Sequence, residues 1–272
     1  MYRFFCEPGQ IADGKVTITG EDVRHIRNVL RMRPGEEILI SCGDEWEYTC
    51  RIVSLSEEEV LAEVTDAQKP GKELPSRITL FQCLPKGDKM ETVIQKAVEL
   101  GAAEIVPVAS GRCVVKLDQK KAAARVARWN TIAENAARQA KRMIIPTVHE
   151  VLPFAEALRY AQQAGETAQT AGRIPADSDN NDKEEAEGRE PLLLLPYENA
   201  EGMSGTKKLL ASIRPGQPVA VMIGPEGGFD EKEVEAAVDA GFHPITLGKR
   251  ILRTETAGMT ALSILMYLLE ED

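Results

Sequence analysis

The chain has 272 residues, 43% of them hydrophobic and 28% charged, which are the proportions of a globular protein with one large domain or two smaller ones. Its opening, MYRFFCEPGQ, has neither the basic nor the apolar region of a secretory signal, and the apolar stretch Ala261–Leu269 is too short to span a bilayer, so a cytoplasmic location with no membrane partner is expected. A net charge of −10 argues against a polyanionic partner, but residues 73–164 carry 14 Lys and Arg against 9 Asp and Glu, which fits either a directed RNA-binding face or an ordinary solvated helix pair.

Five cysteines (Cys6, Cys42, Cys50, Cys83, Cys113) form no CxxC pair, and His25, His149 and His243 are equally dispersed. Buried reduced thiols are therefore expected, and no metal site.

Residues 1–72 read as a small, strand-rich domain with one helix. Over Glu21–Arg31, Val23, Ile26 and Leu30 fall on one helical stripe and Arg24, Arg27 and Arg31 on another. Pro34-Gly35 stops that helix, and Glu37–Cys42, Glu47–Val53 and Val60–Thr65 read as strands. Asp66–Pro75 is the expected hinge. From residue 73 to residue 272 strands alternate with helices, the pattern of an α/β domain with a largely parallel sheet. Ile78–Cys83 and Glu104–Ala109 are strands. Met90–Leu100 and roughly Asp118–Arg142 are helices, and a short strand is expected around Ile144–Val148. Asp88 and Glu91 have the spacing of a capping box. Residues 165–190 are polar and acidic and are expected to form a disordered surface insertion.

Three later segments run from a strand into a loop: LLLLPYE at 192–198, VAVMIGPEGGF at 219–229 and ITLGKRILRTETA at 245–257. In α/β sheets ligands bind beyond the carboxyl ends of strands, so the three loops are expected to build one pocket. Asp230 and Glu233 have capping-box spacing and should fasten the GPEGG turn to the next helix. Neither a phosphate loop nor a GxGxxG fingerprint is present, and Glu226 would repel phosphate. A backbone-lined pocket with a carboxylate suits a neutral or cationic ligand, such as a sulfonium. Each segment alone also has a bland reading: GPEGG as a tight turn, LLLLP as a core strand, RTETA as a helix start capped by Thr254 or Thr256, with Arg253 pairing Glu255 on the surface.

The sequences YRFF, HIRNVLRMRPGE, LPKGDKMETVIQKAVELGA, RCVVK, AARQAKR, IGPEGGF and LGKRILRTETA together resemble the 16S ribosomal RNA uracil-N3 methyltransferases (ribosomal RNA small subunit methyltransferase E) of the SPOUT superfamily. The likeness covers nearly the whole chain; the insertion at 165–190 and Cys113 in RCVVK depart from it. It implies a PUA-like β-barrel RNA-recognition domain over 1–72 and a SPOUT methyltransferase domain with a deep trefoil knot over 73–272. It also implies a homodimer and S-adenosyl-L-methionine as cofactor, without metal. The substrate implied is one uridine of 16S ribosomal RNA, free or in the small ribosomal subunit. Alternatives are a methyltransferase acting on another structured RNA such as tRNA, and a non-catalytic RNA-binding module.

Mapped onto this chain, the resemblance places Leu195, Pro196, Gly224, Pro225, Glu226, Gly227, Gly228, Leu247, Gly248, Ile251 and Leu252 at the cofactor. Arg253 would stabilise negative charge on the uracil oxygens. Glu226 or Glu255 would accept the N3 proton or orient the cofactor's amino group. Arg24, Arg27, Arg31, Lys86, Lys89, Arg112, Arg138 and Arg142 are the expected RNA contacts, for each of which a solvated surface charge is the competing reading.

Overall fold

The computed structural model describes residues 1–43, 46–167, 190–200 and 202–270. The expected insertion falls largely outside them: residues 168–189 are not described, while the backbone of residues 165–167 continues helix α4. The described chain forms two compact units, Met1–Glu73 with Ala137–Ile145, and Leu74–Ala136 with Pro146–Asp272.

The first unit holds a six-stranded sheet, ordered β1-β4-β5-β6-β3-β2, from β1 (Tyr2–Phe5), β2 (Ile11–Ala12), β3 (Lys15–Thr19), β4 (Glu37–Ser41), β5 (Glu47–Leu55) and β6 (Glu59–Gln68). Alternation decides its faces: Val16 and Ile18, Ile38 and Ile40, and Val60 and Ala62 point inward and are buried, and the residues between them are more exposed. The expected single helix is shorter and differently wound. Helix α1 (Glu21–Arg24) passes into a π-turn at His25–Val29, closed by Leu30 N–H donating to His25 O at 2.9 Å. Arg31 lies beyond it with φ +53°. Val23 and Ile26 are buried as the periodicity required, but the wider turn breaks the arginine stripe.

Ala137–Ile145 is tied into the first unit by ions. The Glu73 carboxylate accepts from Arg142 Nε (3.0 Å), Met143 N–H (2.8 Å) and Ile144 N–H (3.3 Å). Arg138 makes a two-pronged bond to Asp22 at 3.0 and 3.1 Å and lies over the rings of Phe4 and Phe5.

The second unit has a seven-stranded sheet in which every pairing is parallel, ordered β10-β8-β7-β12-β11-β13 with β9 on β8. Its strands are β7 (Ile78–Cys83), β8 (Glu104–Ala109), β9 (Thr147–Val148), β10 (Leu152–Pro153), β11 (Leu192–Pro196), β12 (Val219–Ile223) and β13 (His243–Ile245). All residues of β7 and β12 are buried, which is why β12 reads as an unbroken apolar run and β7 as one interrupted only by Thr79 and Gln82. The helices are α2 (Lys89–Glu99), α3 (Gln119–Gln139, in this unit to Ala136), α4 (Phe154–Thr167), α5 (Met203–Leu210), α6 (Glu231–Asp239) and α7 (Thr254–Leu269).

The Asp230/Glu233 capping box forms as expected, with Glu233 N–H to Asp230 Oδ1 at 2.9 Å and Asp230 N–H to Glu233 Oε2 at 3.1 Å. The one expected at Asp88/Glu91 does not: Asp88 makes no side-chain cap bond, and Glu91 is drawn to Arg128 at 2.8 Å. From β7 the chain steps outward to β8, then crosses to β11 and returns to β12 beside β7. Strand order therefore reverses between β7 and β12, where diverging loops open a crevice.

The five cysteines are buried thiols outside any disulfide, with burial pushing Cys6 up to about 12 and Cys50 up to about 11. Among the described residues no helix is long and apolar enough to cross a membrane.

Candidate active site

The three loops expected to converge do so, around a pocket of about 440 Å³, the volume range of small-molecule sites. The loop after β11 contributes Pro196, Tyr197 and Glu198; the loop after β12 contributes Gly224, Pro225, Glu226, Gly228 and Phe229. The loop after β13 supplies Thr246 to Arg253, and Lys89 from the start of α2 completes the wall. Two expected cofactor residues are outside the lining. Leu195 is fully buried in β11, one residue before the lining begins at Pro196. Gly227 presents its carbonyl to Arg112 Nη1 at 3.0 Å, and a Cβ there would face Arg112 at 3.5 Å rather than the pocket.

Glycine is required elsewhere in the turn. A Cβ at Gly224 would meet the Phe229 ring at 3.1 Å, and Gly228 combines φ +65° with the Glu198 carboxylate 3.3 Å from its Cβ position. The third loop is fixed by threonines. Thr254 Oγ1 donates to Gly224 O at 2.6 Å and accepts from Gln82 Nε2 at 2.9 Å, while Thr246 N–H donates to Thr206 Oγ1 at 3.1 Å. Thr254 thus ties α7 to the ends of β7 and β12 instead of capping its helix; the N-cap residue is Arg253.

Arg253 is exposed at the pocket wall. It does not pair with Glu255; among the described residues the ion-pair partner of Glu255 is Lys89, 3.2 Å from its Oε2. Glu226 Oε1 accepts from Lys86 N–H at 3.0 Å and from Lys89 Nζ at 3.2 Å. Burial would raise the Glu226 pKa, but the Lys86 amide and the Lys89 ammonium outweigh it and hold the carboxyl below its usual range. Such a carboxylate is a charge holder and a poor proton acceptor. Among the described residues no group of three or more His, Cys, Asp or Glu could hold a metal ion.

A family model described as an RNA methyltransferase domain matches residues 72–266, and one described as an RNA methyltransferase PUA domain matches residues 18–65. Ribosomal RNA small subunit methyltransferase E of Bacillus subtilis is 36% identical, over 98% of this chain and 96% of its own. The chain belongs to this methyltransferase E family. The Synechocystis relative of the same name is 30% identical over 99% of this chain and 78% of its own. Among solved structures, the methyltransferase E from Neisseria gonorrhoeae bound to S-adenosyl methionine superposes with a TM-score of 0.75 at 35% identity, covering 98% of both chains. A methyltransferase from Legionella pneumophila in complex with the bound cofactor SAM gives 0.75 at 30% identity, covering 97% of this chain and 96% of its own.

Within this methyltransferase E fold the eight expected RNA contacts divide. Arg142, 6% exposed, pairs with Glu73, as burial of an arginine demands a carboxylate partner, and the half-buried Arg138 pairs with Asp22. Lys89 is turned to Glu226 and Glu255. Arg24, Arg31, Lys86 and Arg112 are exposed and Arg27 half-buried. Lys249 and Arg250 line the pocket and were missed, although LGKR sits inside a segment already singled out.

Proposed function

We propose that the protein methylates N3 of one uridine in 16S ribosomal RNA, using S-adenosylmethionine. The observation that carries this reading is the pocket itself: three strand-end loops of a methyltransferase E family member meet over glycines that leave backbone exposed, beside carboxylates. The residues fit the cofactor. A Cβ would crowd the turn at Gly224 and Gly228, Pro196, Leu247 and Leu252 offer apolar surface, and Glu198 and Glu226 complement a cation.

When bound, the cofactor supplies a methyl group on a good sulfonium leaving group. The chain's own residues must deal with the base. N3 of uracil has no available lone pair until its proton leaves, so the anion has to be favoured and positioned. Arg253, a fixed cation at the pocket wall, stabilises the charge that develops on the uracil oxygens. Glu226, held ionised by two donors, orients a cationic group; Glu255, whose Oε2 makes no hydrogen bond, is the candidate to receive the N3 proton. Arg24, Arg27, Arg31, Lys86 and Arg112 are the cations left to meet phosphate.

The same reading includes a cytoplasmic location, a division of labour between a PUA-like domain over 1–72 and a knotted SPOUT domain over 73–272, and a homodimer. The outer side of α7 supports the dimer: Tyr267 is 82% and Leu268 44% exposed, and with Met259 and Ile264 they flank a shallow depression. A methyltransferase acting on tRNA is disfavoured by the full-length likeness to the methyltransferase E relatives, and a pure binding module has no use for the pocket. Calorimetry with S-adenosylmethionine tests the reading; unaltered protein that binds neither this ligand nor its demethylated product sinks it.

A further inference from the structure

We propose that Lys89 is a positioning residue of the methyl-transfer site, holding the Glu226 and Glu255 carboxylates together as a pair beside the pocket rather than contacting RNA. The proposal rests on the methyl-transfer reading of that pocket. Lys89 Nζ lies 3.2 Å from Glu226 Oε1 and 3.2 Å from Glu255 Oε2, so the two carboxylate oxygens are no farther apart than twice that distance. Without a cation between them, two carboxylates so close would favour protonation of one. Glu255 Oε2 is buried and makes no hydrogen bond, which leaves the Lys89 ammonium as the charge that offsets it.

The location of Lys89 strengthens the case. It is the first residue of α2, an 11-residue helix, where the helix dipole disfavours a cation. Helix stability therefore gives no reason for lysine there; the two carboxylates do. Through Lys89 and the Lys86 amide, the loop before α2, the GPEGG turn and the first turn of α7 are joined at one point. A phosphate at Lys89 would have to compete with both glutamates for the same ammonium.

The test is single-turnover methylation and RNA affinity of Lys89→Gln and Lys89→Arg beside the parent. Lys89→Gln should lower the rate at saturating RNA by about tenfold or more, leave RNA affinity and its salt dependence at parental values, and move the acid limb of the rate profile to higher pH as the carboxylates lose their cation. Lys89→Arg should recover most of the rate. A parental rate with weaker RNA binding and a salt slope smaller by about one overturns the proposal, as do parental values throughout. Should Lys89→Gln fail to fold, Glu255→Gln replaces it: a lower rate with parental RNA affinity is expected, and tighter RNA binding with a steeper salt slope is the overturning result. A parent that methylates no RNA removes the underlying reading instead.

Discussion

Arg253 and Glu226 have opposite tasks although both face the same pocket. Arg253 forms no ion pair among the described residues, so its charge is available to an anion that appears only as the uracil proton leaves. Arg253→Gln should therefore spare RNA affinity and lower the single-turnover rate roughly a hundredfold, the scale seen when one stabilising donor is removed; an unchanged rate would show that another cation, such as Arg250, does the work. Glu226 is already held ionised by the Lys86 amide and Lys89. Because its folded pKa is depressed, its contribution is complete above the ordinary glutamate value of about 4.3 and is lost only as pH falls through the lower folded value. Cofactor affinity should consequently stay flat from neutrality to about pH 5.5, above the ordinary glutamate range, and calorimetry across that range checks it. Cys6 and Cys50, raised by burial, should resist thiol reagents until the chain unfolds.

Among the elements, the GPEGG turn separates two glycines that the sequence treats alike. Gly228→Ala must hold an L-residue at φ +65° against the Glu198 carboxylate, a penalty of about 1 kcal/mol, and should weaken cofactor binding. Gly227→Ala meets only ordinary contact with Arg112 and should bind nearly as the parent does; paired affinities and melting temperatures decide. Glu73→Ala should destabilise by about 3 kcal/mol, since it removes the carboxylate that pairs with the buried Arg142 and accepts from two backbone donors, which urea unfolding would show.

Strands β7 and β8 and the Asp230/Glu233 cap were legible because each is dictated locally, by an apolar run or by a four-residue spacing. The arginine stripe was not, because a period of 3.6 was assumed where the chain makes a π-turn. The Asp88/Glu91 box has the right spacing as well, but Arg128, distant in sequence, captures Glu91. The carboxylate partners of Arg138, Arg142 and Lys89 were not legible for the same reason: a basic side chain shows its charge in the sequence and its partner only in the fold.

For the whole molecule, convergence of three loops on one crevice follows from a sheet whose order reverses between β7 and β12. The outer side of α7 should bury Tyr267 and Leu268 in the proposed dimer, so Tyr267→Glu with Leu268→Glu should shift sedimentation toward the monomer. The central claim is that this pocket methylates N3 of a uridine in 16S ribosomal RNA. Nucleoside mass spectrometry of small ribosomal subunits lacking the modification, incubated with the protein and methyl-labelled S-adenosylmethionine, tests it most directly. Labelled 3-methyluridine at one position of the 16S RNA is the predicted result; unlabelled ribosomal RNA, or label on a different atom or confined to added transfer RNA, would contradict it.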